Sequence, residues 1–303
     1  MRDDVAHLPD KKRRDLDRIV EVLFAEFEQA TSLSTQKWRR QGRILKVILY
    51  GSYARGDWVD DPIGGYQSDY DILVVVSDER LTEPGEFWAK ADDQFVREVT
   101  ISKRISAPVS FIVHSLADVN NQLTQGSPFF IDVAEQGIAL YEVEDYPFVT
   151  PRPLEPKAAR AEAQKHFDRW FAVADRSFAT FRLQRSAGDD QHWRNKAVFE
   201  LHQATEQLYH CLLLTLTLYS PKSHKLNFLR SQAEPLVHEL IAVWPRDTKF
   251  AQRCFELLRQ AYVNARYSAH YKVTPAELEW LAERVELLQQ IVKQACEKRL
   301  AQA

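Results

Sequence analysis

Leu49-Tyr50-Gly51-Ser52-Tyr53-Ala54-Arg55-Gly56, followed by Ser68-Asp69-Tyr70-Asp71-Ile72-Leu73-Val74-Val75-Val76, decides the fold of the first half of this 303-residue chain. An apolar, strand-like run (Ile44, Val47, Ile48, Leu49) ends in Gly-Ser. A short helical turn and a loop lead to a second apolar run, whose first residues carry Asp-x-Asp. Gly51 lets the backbone approach a phosphate closely. Ser52 and the N–H groups of the turn after it can hold phosphate oxygens. Asp69 and Asp71 stand two apart on a strand, so both carboxylates project from one face. Two such carboxylates repel unless a cation lies between them. Hard oxygen ligands with open positions suit Mg2+, whose shell a nucleoside triphosphate would complete.

The order Gly-Ser-x-Ala-Arg-Gly, a spacer, then Ser-Asp-x-Asp resembles the minimal nucleotidyltransferases of the DNA polymerase β superfamily. Gly51, Ser52, Ala54, Arg55, Gly56, Ser68, Asp69 and Asp71 carry the match. The resemblance implies an α+β domain, a short mixed sheet with helices. It implies a triphosphate, ATP foremost, bound by Gly51, Ser52, Arg55 and Ser68. Asp69 and Asp71 would be the catalytic residues and would hold Mg2+. Arg55 either neutralises phosphate charge or pairs with Asp57. The family commonly has a third carboxylate on a neighbouring strand. Here the candidate strand, Ala107-Pro108-Val109-Ser110-Phe111-Ile112-Val113-His114, has Ser110 at that position. His114 lies on the same face by alternation, four residues on.

The implied activity is Mg2+-dependent transfer of a nucleoside monophosphate from a triphosphate to an acceptor hydroxyl on a protein, an RNA or a small molecule. With the third acid absent or supplied from elsewhere, a nucleotide-binding regulatory module with little turnover stays open. A fused toxin–antitoxin-like protein is a further alternative.

The length allows two domains, each with its own core. No apolar run reaches the length of a membrane helix. Met1-Arg2-Asp3-Asp4 lacks the apolar region of a secretory signal. Cys211, Cys254 and Cys296 are far apart and sit in helical patterns. That favours a reducing cytoplasm and core packing over a disulfide frame or a zinc site. Residues 1–155 carry a net charge of −9 and residues 156–303 one of +6. The basic half could meet an anionic partner such as RNA, or the two halves could attract each other. Lys11-Lys12-Arg13-Arg14, followed by Asp15 and Asp17, reads as a solvated helix start.

The pattern predicts two domains, 1–150 and 157–300. In the first, Leu16, Ile19, Val20, Leu23, Phe24 and Phe27 form a helical stripe. Strands are expected near 43–50, 70–77 and 107–114, a helix near 85–98, a helix opening at Ser115-Leu116-Ala117-Asp118, and a strand near 138–143. The spacer Gly56–Gln67, with Pro62, Gly64 and Gly65, is either a loop that folds over substrate or a long surface turn. Pro147, Pro151, Pro153 and Pro156 mark the boundary. Beyond it the pattern is helical throughout. One stripe is Phe167, Trp170, Phe171, Ala174, Phe178 and Phe181; another is Leu201, Ala204, Leu208, Cys211, Leu212 and Thr215. A break falls at Ser220–His224. Shorter helices follow near 225–243 and 248–266, and Thr274-Pro275-Ala276-Glu277 caps the last. The sum is an all-α five-helix bundle.

That bundle resembles a HEPN domain over about residues 160–295. The likeness rests on His202-Gln203-Ala204-Thr205-Glu206, on Tyr219-Ser220-Pro221-Lys222-Ser223-His224-Lys225-Leu226, and on Ala265-Arg266-Tyr267-Ser268-Ala269-His270-Tyr271. Many HEPN domains are ribonucleases with four to six residues between an Arg and a His. Arg266 and His270 have three between them, and on a helix three- and four-residue offsets point differently. This argues against the usual cleavage. Tyr267 and Tyr271 lie in the Arg266 region; in some separate-chain pairs of these families the transferase adenylylates a tyrosine of its HEPN partner. His202, Glu206 and His210 recur every fourth residue on one helix face, which reads as a solvated or dimer-facing stripe or, alternatively, as a polar pocket or metal face. His224 is expected to order its loop, with Lys222, Lys225 and Arg230 as candidate anion contacts. Phe178, Phe181, Trp193 and Phe199 exceed what one bundle hides, which predicts a homodimer through the helical domain or, as the competing account, packing of these aromatics against the first domain.

Overall fold

The computed structural model describes residues 2–32, 34–61, 66–268 and 270–302. They form two compact units, which divide for the most part between Leu154 and Glu155. Among the described residues no helix is long and apolar enough to cross a membrane.

The first unit runs α1 (Asp10–Ser32), α2 (Lys37–Arg40), β1 (Ile44–Tyr50), α3 (Gly51–Arg55), β2 (Asp60–Asp61), β3 (Tyr66–Gln67) and β4 (Tyr70–Val76). After two short helical turns come α4 (Ala89–Thr100), β5 (Val109–Ser115), α5 (Leu116–Thr124), α6 (Pro128–Gln136) and β6 (Ile138–Glu142). The four longer strands make a mixed sheet in the order β5-β4-β1-β6. β1 is antiparallel to β4 and to β6, while β4 and β5 are parallel. Every residue of β1 and β4 is buried, as expected of strands covered on both faces. Val47, Leu49, Ile72 and Val74 pack with Leu16, Ile19, Leu23 and Phe27 of α1 and with Trp88 and Phe95. Helices α5 and α6 meet the sheet through β4, β5 and β1. α5 opens where the Ser115 hydroxyl accepts the Asp118 N–H. α6 has no counterpart among the expected elements; Pro128 in its first turn is the signal for it. Pro62, Gly64 and Gly65 of the spacer lie outside the described residues.

The second unit contains α7 (Pro156–Ala187), α8 (Gln191–Thr217), α9 (Leu226–Ala233), α10 (Lys249–Tyr267) and α11 (Pro275–Ala301), with a 3-10 turn at His238–Val243. α8 is central, packed by the other four. It is buried on nearly every side, so its apolar residues form no single stripe. The Thr274 capping box forms as its sequence predicts: the Thr274 hydroxyl accepts the Glu277 N–H, and Glu277 accepts the Thr274 N–H. Cys211, Cys254 and Cys296 are free, buried thiols.

Two expectations change here. Phe178 and Phe181 lie in the core of the unit itself, because facing helices cover them, so they supply no dimer surface. Arg230 is buried as well: it donates to Glu234 at 2.6 Å and to the Trp244 carbonyl at 2.8 Å. Its burial and these two bonds inside the unit count against it as an anion contact.

Candidate functional site

The site is built from register. β1 ends at Tyr50, which pairs with Asp71 of β4, and Asp71 pairs with Ser110 of β5. Tyr50, Asp71 and Ser110 thus form one row across three strands. Gly51 follows immediately, with φ at +70°. A Cβ placed on it would lie 2.4 Å from the Asp71 Oδ2. Only a residue without a side chain lets the turn start so close to that carboxylate. The Ser110 hydroxyl donates to Asp69 Oδ2 at 2.7 Å. Asp69, Asp71 and Ser110 therefore share a face, with Asp71 buried and Asp69 half-buried.

Ser68 and Arg55 of the motif bond to residues of the spacer. Ser68 is buried; its hydroxyl accepts the Val59 N–H at 2.9 Å and its own N–H donates to the Val59 carbonyl at 2.8 Å. This pins one end of the spacer to the other. Arg55 donates to Asp57 at 3.3 Å, and both are well exposed. Asp132 of α6, a residue the motif does not include, lies within reach of the same charge: burial pushes its carboxyl up and Arg55 draws it back. His114 does not join the aspartates. It sits about 13 Å along β5 from Ser110, hydrogen-bonded to Asp118 at 2.6 Å and edge-on to Phe130.

The basic start of α1 is not uniformly solvated. Lys12 is 8% exposed and Asp15 2%, because both turn inward to polar groups beneath the site.

In the helical unit the proposed residues differ in their surroundings. α10 ends at Tyr267, so His270 stands beyond the helix and the argument from helical offset does not apply. Arg266 donates to the Tyr262 carbonyl at 2.8 Å and stacks over Phe199, Tyr262 and Tyr267. Tyr267 is 76% exposed, whereas Tyr271 is 5% exposed. The Tyr271 hydroxyl donates to the Leu257 carbonyl at 2.6 Å, and burial pushes it up. Tyr271 is a core residue.

His202, Glu206 and His210 are buried, contrary to a solvated stripe, since α8 is enclosed by its neighbours. His202 donates through Nδ1 to the Leu258 carbonyl at 2.9 Å, and its Nε2 lies 3.4 Å from Glu206. His224 reaches Glu206 at 2.9 Å and stacks on Tyr262. Burial pushes the Glu206 carboxyl up, but the neighbouring His202 and His224 outweigh it and hold it below its ordinary value. His210 bonds the Ser220 hydroxyl at 2.7 Å. These residues tie α8 to α10 and to the 219–225 loop. Among the described residues no group of three or more His, Cys, Asp or Glu could hold a metal ion.

Two family models match the chain. One is described as polymerase beta, nucleotidyltransferase, over residues 35–128; the other is the HEPN domain, over residues 167–295. The chain is thus a nucleotidyltransferase domain of polymerase β type followed by a C-terminal HEPN domain. A Methanocaldococcus jannaschii protein named "Putative protein adenylyltransferase" is 51% identical over 39 residues, which is 13% of this chain and 33% of that protein. The match spans about a third of that relative's length.

Proposed function

We propose that the protein transfers a nucleoside monophosphate from a triphosphate, ATP first, onto an acceptor hydroxyl, and that the reaction requires Mg2+. One observation carries this reading: the row in which Asp71 abuts Gly51 while Ser110 holds Asp69 on the same face. Asp69 and Asp71 would hold the cation. Two carboxylates suit Mg2+, which takes one or two from protein and fills its shell with phosphate and water. When bound, the cation neutralises phosphate charge and orients the triphosphate.

The chain's own residues do the rest. Gly51 and Ser52 seat the triphosphate beside the carboxylates. The exposed Arg55–Asp57 pair is worth no more than about 1 kcal/mol, so Arg55 can exchange its partner for a phosphate. Ser68 keeps the spacer anchored beside Asp69. The chemistry belongs to a domain of residues 1–150, and residues 157–300 form the second domain. The relative's name makes a protein hydroxyl the first acceptor to test, with exposed Tyr267 as the tyrosine within this chain; RNA and small molecules follow.

Incubation with Mg2+ and each α-labelled triphosphate, followed by a search for label on protein, added RNA and small molecules, tests the reading. No label anywhere, together with no MgATP binding by calorimetry, would sink it. Binding without label would favour the second reading, a regulatory nucleotide-binding module. Ser110 supports that alternative, since a serine at the third-acid position cannot take the acceptor's proton at neutral pH.

A further inference from the structure

We propose that Lys12 and Asp15 of α1 are positioning residues for this transfer: they lock the turn carrying Gly51 and Ser52 to the strand carrying Asp69 and Asp71. The proposal rests on the function just given.

Two tyrosines stand at the centre of the network. Tyr53 directly follows Ser52, and Tyr70 lies between the two aspartates. By strand alternation Tyr70 points to the opposite face from Asp69 and Asp71. The Tyr53 and Tyr70 rings stack at 4.4 Å, and Trp58 stacks on Tyr53 at 5.5 Å with the planes 9° apart. Three rings in series thus join the spacer, the turn and the strand.

Lys12 and Asp15 hold this stack by its hydroxyls. The Lys12 ammonium donates to the Tyr53 hydroxyl at 3.0 Å and to the Ser106 hydroxyl at 3.2 Å. It also lies over both rings, 5.2 Å from the Tyr53 centroid and 5.6 Å from that of Tyr70. Asp15 accepts from the Tyr70 hydroxyl and the Ser106 N–H, each at 2.9 Å. The network then reaches both ends of the spacer. Lys12 is 4.0 Å from Asp60, and the Gln67 amide donates to Asp60 at 3.3 Å and to the Ser106 carbonyl at 2.9 Å. Ser106 leads into β5, the strand of Ser110.

Every segment that bears a site residue therefore meets this pair or its immediate partners. A buried charge is a poor way to add stability, because desolvation opposes its attraction. Burial does push the Lys12 ammonium down, with Asp60 and Asp15 opposing. What a buried charge supplies is direction: three ammonium donors and a carboxylate admit few arrangements of the groups around them. Fixed here are the relative places of the turn and the strand. An error of about 1 Å in such a placement can cost roughly 100-fold in rate.

The test compares Lys12→Met, Lys12→Arg and Tyr53→Phe with Lys11→Met, a change at an exposed neighbour on the same helix. Two readouts are taken on the full chain: hydrogen exchange of the amides of residues 52–58, and initial rates of labelled transfer against ATP concentration. In Lys12→Met those amides should exchange about tenfold faster. Its kcat should fall about 10- to 100-fold, with KM for ATP changed less than about threefold. Tyr53→Phe should show the same pattern more weakly, and it keeps the test alive if Lys12→Met fails to fold. Lys12→Arg should recover part of the rate, and Lys11→Met all of it. Wild-type exchange and kcat in both Lys12→Met and Tyr53→Phe would overturn the proposal, as would a lower melting temperature with kcat untouched. If the wild type neither transfers nor binds MgATP, the functional reading fails, and the exchange data alone decide whether Lys12 locks the turn.

Discussion

Gly51 and Asp71 are twenty positions apart in sequence, yet they meet because an antiparallel register sets Tyr50 opposite Asp71. Arg266 and His270 are near neighbours in sequence, yet one lies inside α10 and the other beyond its end, because α10 stops at Tyr267. The difference lies in what fixes a side chain's direction. On paired strands the period of two and the ladder determine which residues share a face. Near a helix end, direction depends on where the helix stops, and helix ends are weakly determined by sequence.

The sharpest way to break that comparison is to remove a carboxylate from the strand site. Asp71→Asn should lower transfer on the order of 1,000-fold and abolish measurable MgATP binding by calorimetry, with the circular dichroism spectrum unchanged. Wild-type affinity in this variant would mean that the shared face of Asp69 and Asp71 has no role in binding.

In the helical unit the largest effect should be on stability. Glu206→Gln removes a charge clamped by His202 and His224 and should cost about 2 to 3 kcal/mol in denaturant unfolding, leaving MgATP binding untouched. The pH dependence has a definite sign. Glu206 is held below its ordinary value of 4.5, so its contribution is complete above about pH 4.5 and is lost as pH falls through the lower native value. The gap between wild type and variant should therefore close in acid. A gap that widened below pH 4.5 would contradict the clamp.

Gly51→Ala should cost about 1 to 2 kcal/mol, because it puts a Cβ in the left-handed region. It should also lower transfer about tenfold, since the added atom displaces the Asp71 carboxylate. Rates measured well below the melting temperature separate the two effects. The smallest difference is between neighbouring tyrosines. Tyr271→Phe should cost about 1 kcal/mol through the lost bond to Leu257, whereas Tyr267→Phe should stay within about 0.5 kcal/mol. If the chain labels itself on either tyrosine, peptide mapping should find the label on Tyr267.

The sheet was legible because β1 and β4 are near-continuous apolar runs bounded by Gly51 and Asp69, and the last helix because Thr274 and Glu277 form a complete cap. The buried histidine–glutamate cluster was not. An i, i+4 row of polar residues looks solvated unless one knows that α8 is covered on all sides, and its partners Leu258 and His224 come from distant segments. The apolar run Cys211–Leu214 on the same helix was the available signal. The buried places of Lys12 and Asp15 were not legible for a related reason. Charged residues at a helix start are usually solvated, and only the paired hydroxyls of Tyr53 and Tyr70 make an interior place for them. Of the expected triphosphate contacts, Gly51 is explained by its contact with Asp71, while Ser68 has a local bracing task no motif would have revealed.

The parallel pairing of β4 with β5 also sets a timetable. Ser110 reaches Asp69 across 41 residues, and parallel strands cannot be closed by a tight turn. α7 and α8, by contrast, form a hairpin joined by Gly188, Asp189 and Asp190. Contacts distant in sequence form slowly because chain-closure entropy must be overcome before they yield any gain. We expect the helical unit to mature first during refolding, with the carboxylate pair assembled near the end. Pulsed exchange should then protect the amides of α8 before those of β5; the reverse order would rule this out. A chain interrupted while folding would in that case present a formed bundle and no working site, so nucleotide chemistry would be switched on only by the last long-range closure.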